Sequence, residues 1–225
     1  MSFFEITGTD YLELLRKRLV GEMPELVWLQ QCRALCGPHL SDNPLILDIG
    51  CATGYTYNAF KQFEPRYVGV DVEPKFLQVA KQHFSANPKV QFHEHDINTE
   101  PLPPQILPTR ADLVICSAII EHFPSLLPSL ANIAATVGGQ LFLRTFLGET
   151  DEIHSVASPV PEFAATHRKY SNRYSFRSVL GWLGTNGFRV KTVPDQYTGS
   201  APYWIDGAVR AFHIVLAERI APAFP

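Results

Sequence analysis

A glycine-containing turn with an acid before it follows a short apolar run near position 45. The run Leu45–Leu47 leads into the segment Asp48–Gly54, which reads Asp-Ile-Gly-Cys-Ala-Thr-Gly. Gly50 and Gly54 allow the backbone to approach a ligand where a Cβ atom would collide with it. The segment lacks the G-x-G-x-x-G spacing that holds a pyrophosphate. An acid two places before the first glycine therefore predicts a site for a cationic ligand.

Two further acids follow the next two apolar runs. Asp71 directly follows the run Tyr67–Val70. A carboxylate in that position can accept hydrogen bonds from both hydroxyls of a ribose. Asp96 follows a run that begins at Val90, where it can accept a hydrogen bond from an adenine amino group. Asp48 or Asp96 can instead serve only to cap the turn that follows it. A fourth feature, Cys116–His122, ends the next run and continues into a loop.

The elements that must position these residues alternate between short apolar runs and amphipathic segments. This alternation predicts a doubly wound, mainly parallel sheet of seven strands with helices on both faces. The last two predicted strands have no helix between them, so they must pair antiparallel with each other. The predicted strands are Leu45–Leu47, Tyr67–Val70, Val90–Phe92, Leu113–Cys116, Leu141–Leu143, Phe188–Val193 and Val209–Ala217. The predicted helices are Tyr11–Val20, Glu25–Leu35, Thr53–Phe63, Pro74–Phe84, Ser125–Val137 and Ser175–Thr185.

The composition is that of an ordinary globular protein and excludes several classes of function. The chain has 225 residues, 46% of them hydrophobic and 18% charged, and a formal net charge of −3. No overall positive field attracts nucleic acid or anionic lipid, and no apolar run approaches the roughly 18 residues of a membrane span. The start lacks the basic region of a secretory signal, so we expect a cytoplasmic protein. The cysteines lack zinc-finger spacing, which predicts buried free thiols.

These four features, in this order on consecutive strand ends, resemble those of the class I S-adenosylmethionine-dependent methyltransferases. The resemblance covers roughly residues 45–145, and Gly187-Phe188 before a late strand also fits the antiparallel final pair of that family. It implies S-adenosyl-L-methionine as the cofactor and an enzyme that transfers a methyl group by direct displacement. One departure is Ala52, which stands where many members have the middle glycine of the turn.

The resemblance assigns roles to cofactor-binding residues by position. Asp48, Gly50, Ala52 and Gly54 would frame the methionine end of the cofactor, with the amide groups near Thr53 facing its carboxylate. The other positions are Asp71 for the ribose, Val72 against the adenine ring, Asp96 and Ile97 at the adenine edge, and Ser117 near the sulfonium.

Candidate residues on the acceptor side follow from the loop after the fourth strand and from the N-terminal helix. His122 is the candidate general base, because small-molecule methyltransferases of this family hold a catalytic histidine in that loop. Glu121-His122 is also a frequent structural pair in the family. Tyr11 can close over the cofactor or polarise His122, or be an ordinary core residue. The segment at about 148–174 is long for a connection and predicts a lid or an ordinary solvated loop.

The predicted organisation is an N-terminal pair of helices, residues 1–40, that caps the cofactor site of a core formed by residues 41–225. We expect a small-molecule acceptor with an oxygen or nitrogen nucleophile, no nucleic-acid or membrane partner, and a monomer or homodimer. Alternatives are an RNA or protein methyltransferase, a non-catalytic cofactor-binding protein, a dehydrogenase or an aminopropyl transferase. His93 and His95 share a strand face, but no third ligand is evident, so no metal is expected.

Overall fold

Short apolar runs form one central sheet, and amphipathic segments pack on both of its faces. The computed structural model describes residues 9–157, 168–205 and 208–220. The helices are α1 (Thr9–Leu19), α2 (Val27–Cys36), α3 (Tyr57–Phe60), α4 (Pro74–His83), α5 (Ser129–Thr136) and α6 (Phe176–Thr185). The strands are β1 (Leu45–Ile49), β2 (Arg66–Asp71), β3 (Val90–Glu94), β4 (Ala111–Ser117), β5 (Val137–Gly148), β6 (Ser155–Ala157), β7 (Arg168–Tyr170), β8 (Tyr174–Ser175), β9 (Phe188–Pro194), β10 (Tyr203–Ile205), β11 (Ala208–Arg210) and β12 (Phe212–Arg219).

The main sheet confirms the predicted doubly wound topology. Its strand order is β3-β2-β1-β4-β5-β12-β9, and the two-residue strand β8 pairs with the end of β5. Strands β1 to β5 pair in parallel, whereas β12 is antiparallel to both β5 and β9. The carboxyl ends of the first four strands therefore meet at one edge of the sheet.

Two hydrophobic cores lie on opposite faces of the sheet. One joins α5 and α6 to residues such as Leu47, Val114 and Leu143, and the other joins α2, α3 and α4 to residues such as Ile46 and Phe142. Burial on both faces explains why the central strands read as continuous apolar runs. The four cysteines are free and buried in these cores.

The helix predicted over Thr53–Phe63 is largely replaced by turns. The described helix α3 covers only Tyr57–Phe60 and is followed by a 3-10 turn at Lys61–Phe63. Gly50, Ala52 and Gly54 all adopt positive φ values, which keeps the chain out of the right-handed helical region until after Gly54. The expectation that a helix opens near Thr53 is therefore wrong.

Two other predicted boundaries also shift. The helix predicted over Ser125–Val137 begins at Ser129, directly after Pro128, because a proline disfavours helical conformation in the residue before it. The strand predicted over Val209–Ala217 is divided at Ala211 into β11 and β12, and β11 forms a hairpin with β10.

Helix α1 packs beside the glycine turn and the segment that follows it. The Thr53 hydroxyl donates to the Leu15 carbonyl at 3.3 Å, and the Asn58 amide donates to the Leu19 carbonyl at 2.7 Å. These bonds connect α1 to the segment after β1. None of the described helices is long and apolar enough to cross a membrane.

Candidate active site

The turn after β1 is shaped by close packing against two side chains. Gly50 has a φ of 73°, and a Cβ atom there would lie 2.0 Å from Cδ1 of Ile119. Gly54 has a φ of 77°, and its Cβ atom would lie 2.6 Å from the ring of Phe92. Both glycines are therefore required by neighbouring protein atoms, whichever ligand the turn meets. Ala52 adopts a φ of 48°, a conformation that costs alanine more than glycine.

Asp48 is a buried carboxylate at the end of β1. It is 3% exposed and accepts a hydrogen bond from the Tyr67 hydroxyl. Burial raises the pKa of Asp48 to about 6, although hydrogen bonds from Tyr67 and Thr56 act in the opposite direction. A buried carboxylate gains much from a cationic partner, which agrees with the cationic ligand expected from the sequence.

Asp71 connects the end of β2 to the glycine turn. Its Oδ2 atom accepts the Ala52 N–H at 2.8 Å, and its Oδ1 atom accepts the Glu73 N–H at 2.9 Å. Burial raises the pKa of Asp71, while the hydrogen bonds from these backbone amides lower it. Each oxygen keeps a lone pair for a further donor. Val72 follows with 60% of its surface exposed, so it is open to contact with a planar ring.

The remaining predicted cofactor residues lie on the same sheet edge. Register pairs Asp71 of β2 with Glu94 of β3, just before Asp96. The Oδ1 atom of Asp96 accepts the Asn98 N–H at 2.9 Å, and its other oxygen has no hydrogen bond among the described residues. Ile97 is buried, and its carbonyl accepts from Asn132 at 2.9 Å. Ser117 is half-buried at the end of β4.

Helix α1 brings two polar side chains to this edge. Burial raises the pKa of Tyr11, the positive charge of Arg18 lowers it, and the negative charge of Asp71 raises it. The Arg18 guanidinium lies 5.9 Å from the Tyr55 ring, and its buried Nε atom has no partner among the described residues. Sequence reasoning missed Arg18, although its spacing of two helical turns from Tyr11 places both on one helix face. Arg16 is exposed instead.

His122 lies in the 3-10 turn after β4 and is oriented by a backbone carbonyl. Its Nδ1 atom is 2.9 Å from the carbonyl oxygen of Tyr170. A carbonyl oxygen only accepts, so the neutral ring carries its proton on Nδ1 and a lone pair on Nε2. In that tautomer Nε2 is the ring atom that can accept a proton.

Glu121 points into the protein instead of toward solvent. It is fully buried, its Oε2 atom accepts the Thr145 hydroxyl at 2.8 Å, and Oε1 has no partner among the described residues. Burial raises the pKa of Glu121, whereas the neighbouring His122, the Thr145 hydroxyl and the Arg144 charge lower it.

A second group that sequence reasoning missed joins β5 to the residue after β9. Arg144 and Asp195 are both buried and form an ion pair, with the Arg144 guanidinium 3.6 Å from the centre of the Phe212 ring. Burial opposes ionisation of Asp195, but hydrogen bonds from Arg144 and Thr198 hold its pKa below the usual value. A charge within the apolar run around Leu143 was a usable signal, because a buried charge requires a partner.

The segment after β5 is anchored to the loop that carries His122. Part of the predicted lid, residues 158–167, lies outside the described residues. In the described part, Asn172 donates to the Phe123 carbonyl at 2.7 Å. Arg210, 1% exposed, bonds the Ser171 carbonyl at 2.9 Å and Glu152 at 2.8 Å. These contacts connect the segment to the β10–β11 hairpin and to the His122 loop.

No group of three histidine, cysteine or acidic side chains in residues 9–157, 168–205 and 208–220 is arranged to hold a metal ion. His93 and His95 lie on β3 and just after it, and His95 is within 3.1 Å of the Glu100 carbonyl.

Comparison with known proteins connects this geometry to a family. A family model described as a methyltransferase domain matches residues 47–138, which include the glycine turn and the His122 loop. The chain is 30% identical over 169 residues to the tRNA U34 carboxymethyltransferase of Vibrio cholerae, covering 71% of this chain and 50% of that protein. It is 29% identical over 190 residues to the ubiquinone biosynthesis O-methyltransferase of Leptothrix cholodnii, covering 79% of each.

The chain thus spans half the length of the tRNA-modifying relative. Among solved structures, it superposes on the magnesium protoporphyrin IX methyltransferase of Synechocystis PCC 6803, a structure with bound S-adenosylhomocysteine. The TM-score is 0.58 at 15% identity, covering 96% of this chain and 97% of that one. With the strand-end motifs and the sheet order, these similarities identify residues 47–138 as a methyltransferase domain and show the fold of the class I S-adenosylmethionine-dependent methyltransferases.

Proposed function

We propose that this protein transfers a methyl group from S-adenosyl-L-methionine to an oxygen or nitrogen atom of a small-molecule acceptor. The observation that carries the proposal is one sheet edge that holds three acids beside an oriented histidine. Asp48 and Asp71 lie at the carboxyl ends of β1 and β2, Asp96 follows the adjacent strand β3, and His122 follows β4. An O-methyltransferase relative that aligns over 79% of both chains supports an acceptor of low molecular weight.

The residues at this edge fit the chemical groups of the cofactor. The buried Asp48 carboxylate suits the cationic amino group, and the two Asp71 oxygens suit the ribose hydroxyls. Asp96 and Ile97 would bind the adenine edge, and the exposed Val72 its face. The turn at Gly50, Ala52 and Gly54 would frame the methionine end, with Ser117 near the sulfur.

Arg18 adds a charge that the sequence comparison did not assign. Arg18 lies on α1, which packs beside the glycine turn, and its Nε atom has no partner in the described parts of the chain. A guanidinium in this position suits the cofactor carboxylate, because charge-assisted hydrogen bonds to carboxylates are among the stronger polar contacts. On this proposal the described part of residues 1–40, helices α1 and α2, caps the cofactor site, and the described parts of the segment 148–174 form a wall of the acceptor pocket.

When bound, the cofactor would supply a methyl group attached to a positively charged sulfur, and the acceptor's lone pair would bond to the methyl carbon as the carbon–sulfur bond breaks. His122 removes the acceptor proton, because its Nε2 atom carries the free lone pair when Nδ1 donates to Tyr170. Tyr11, close enough to Asp71 and Arg18 to feel both charges, closes the cofactor side. The protein aligns nucleophile and methyl group, which is the main contribution to such a displacement.

A second candidate is methylation of RNA, favoured by the tRNA-modifying relative. The net charge of −3 argues against it, because bulk nucleic-acid binding depends on positive charge. A non-catalytic protein that only binds the cofactor is the remaining alternative.

One pair of measurements tests the proposal. Calorimetry of S-adenosyl-L-methionine binding tests the cofactor site, and release of S-adenosylhomocysteine tests turnover with a panel of phenols and amines beside bulk tRNA. Saturable binding with turnover on a small acceptor is expected. Turnover on tRNA alone would replace the proposal with the RNA candidate, and absence of cofactor binding would overturn both.

A further inference from the structure

Arg144 is a positively charged residue held rigidly within an apolar strand. Its side chain keeps only 5% of its accessible surface. Its Nε and Nη2 atoms donate to the two carboxylate oxygens of Asp195 at 3.2 and 3.0 Å, while the guanidinium stacks on Phe212. A bidentate pair and a stacked ring fix a guanidinium in both position and plane.

The third guanidinium nitrogen of Arg144 is left for another partner. In the part of the chain that the structure describes, Nη1 makes no hydrogen bond, and it is not among the polar atoms sealed from solvent. Arginine nitrogens only donate. Arg144 therefore presents two N–H groups to whatever occupies the space beside it.

That space lies between the cofactor side and the acceptor side of the site. Burial raises the pKa of Tyr55 at the glycine turn and of Tyr203 on the β10–β11 hairpin, and the Arg144 charge partly offsets both increases. In the β4–β5 pairing, Arg144 is also the register partner of Ser117. The Arg144 guanidinium is thus close to both the cofactor side and the acceptor side of the site.

The wall around Arg144 is aromatic. The rings of Phe146 and Phe212 are 4.3 Å apart, and Tyr203 lies 6.3 Å from each. The Tyr197 ring lies 5.8 Å from the guanidinium. Such a surface favours a planar apolar acceptor over a sugar or an aliphatic amine.

We propose that Arg144 binds the reacting oxygen of the acceptor and stabilises its anion, so that the acceptor is a phenol. This inference rests on the proposed methyltransferase function. A donor-only cation repels an ammonium group and cannot accept from an amine N–H, whereas it stabilises an oxygen anion. Asp195 already balances the charge of Arg144, so the pocket suits a hydroxyl that ionises on the enzyme better than a carboxylate or phosphate.

The atoms balance without another reactant. The phenolic proton passes to Nε2 of His122, and an oxygen lone pair forms the bond to the methyl carbon as the carbon–sulfur bond breaks. The products are an aryl methyl ether, S-adenosylhomocysteine and a proton that His122 returns to water. Arg144 holds the oxygen throughout and is unchanged.

The test uses 4-nitrocatechol, whose colour reports its ionisation, titrated with the S-adenosylhomocysteine complex of the full chain. We expect the bound probe to ionise at least one pH unit below the free probe, a tenfold change in its ionisation constant. R144M should abolish that shift, and R144K should retain part of it. R219M is the matched control, because Arg219 also stacks on a phenylalanine, Phe188 at 4.4 Å, at the other end of β12.

Thermal unfolding of each variant identifies any that fail to fold. If R144M fails to fold, the comparison of R144K with wild type still tests the inference. Absence of saturable probe binding to a complex that forms normally would overturn the inference. An unshifted probe, or an equal shift in wild type and both Arg144 variants, would do so as well. Turnover on amines but not on phenols would overturn the phenol inference and leave the methyltransferase proposal intact. Failure of cofactor binding would instead overturn the methyltransferase proposal, on which the phenol inference rests.

Discussion

The Ala52 amide donates to the Asp71 carboxylate at 2.8 Å, which connects the glycine turn after β1 directly to the end of β2. The residue proposed to hold the ribose therefore also holds the turn proposed to frame the methionine end. The positive φ of Ala52 directs its N–H toward that carboxylate. Changes at Asp71 should thus affect the cofactor in two ways.

Replacement of Asp71 by alanine should weaken S-adenosyl-L-methionine binding at least tenfold, because both the ribose acceptor and the support of the turn are lost. That factor corresponds to about 1.4 kcal/mol. Calorimetry measures the affinity. D112A is the control, since Asp112 also accepts a backbone N–H, that of Leu45 at 2.7 Å, but at the opposite end of β1. Unchanged affinity in D71A would remove the cofactor assignment.

Cofactor binding should depend on the ionisation of Asp48, whose pKa is about 6 in the free protein. Below that pH the carboxyl group is neutral and cannot balance the cofactor amino group, so affinity should fall by up to tenfold per pH unit. Calorimetry between pH 5 and pH 8 measures the slope. D48N should bind weakly with a flatter profile, and a wild-type profile that stays level through pH 6 would contradict the assignment.

The same group predicts how stability changes with pH. The folded-state pKa of Asp48 lies above its unfolded value, so its stabilising contribution is complete below about pH 4 and is lost as the pH rises through 6. A difference of two units corresponds to about 3 kcal/mol. Denaturant unfolding of wild type and D48N at pH 4 and pH 7 should show this difference. If the free energy of unfolding changed equally with pH in wild type and D48N, burial would not raise the pKa of Asp48.

Gly50→Ala should destabilise the fold more than Gly187→Ala. Both glycines have positive φ values, 73° and 85°, but only at Gly50 would the new Cβ meet a neighbour, Ile119 at 2.0 Å. Gly187 has open space around its Cβ position, so G187A should show only the backbone cost of about 1 kcal/mol. The clash should add about 1–3 kcal/mol in G50A. Equal losses in the free energy of unfolding would show that Ile119 moves aside freely.

Replacement of His122 by alanine should lower turnover about 100-fold or more while leaving cofactor affinity unchanged, because a general base contributes to the chemical step. Release of S-adenosylhomocysteine with an active acceptor measures turnover, and calorimetry measures affinity. H39A, at an exposed histidine in the turn after α2, should match wild type in both. If H122A kept wild-type turnover, His122 would be structural.

Replacement of Arg18 by glutamine should weaken cofactor binding about five- to tenfold, which corresponds to the loss of one charged hydrogen bond. R16Q is the matched control, because Arg16 lies on the same helix but is exposed. Equal affinities of R18Q and R16Q would show that the cofactor carboxylate is bound by other groups.

The linear sequence was sufficient to predict the sheet and the edge at which the three candidate acids lie. Parallel strands buried on both faces must be continuous apolar runs, so Leu45–Leu47 and Leu113–Cys116 were visible as strands. Because such strands end at one edge, Asp48, Asp71 and Asp96 had to lie near one another. The order of elements also determined the antiparallel β12, since no crossover helix precedes it.

Tertiary structure decided what depends on partners distant in the chain. The ion pair of Arg144 with Asp195 joins residues 51 positions apart, and the tautomer of His122 depends on a carbonyl 48 positions away. No local pattern encodes such pairings, because they arise only when the β9 end and the segment after β5 fold against the sheet. The steric reason for Gly50 could not be predicted from the sequence either. A side chain at position 50 would collide with Ile119, and only the folded chain brings Ile119 next to Gly50.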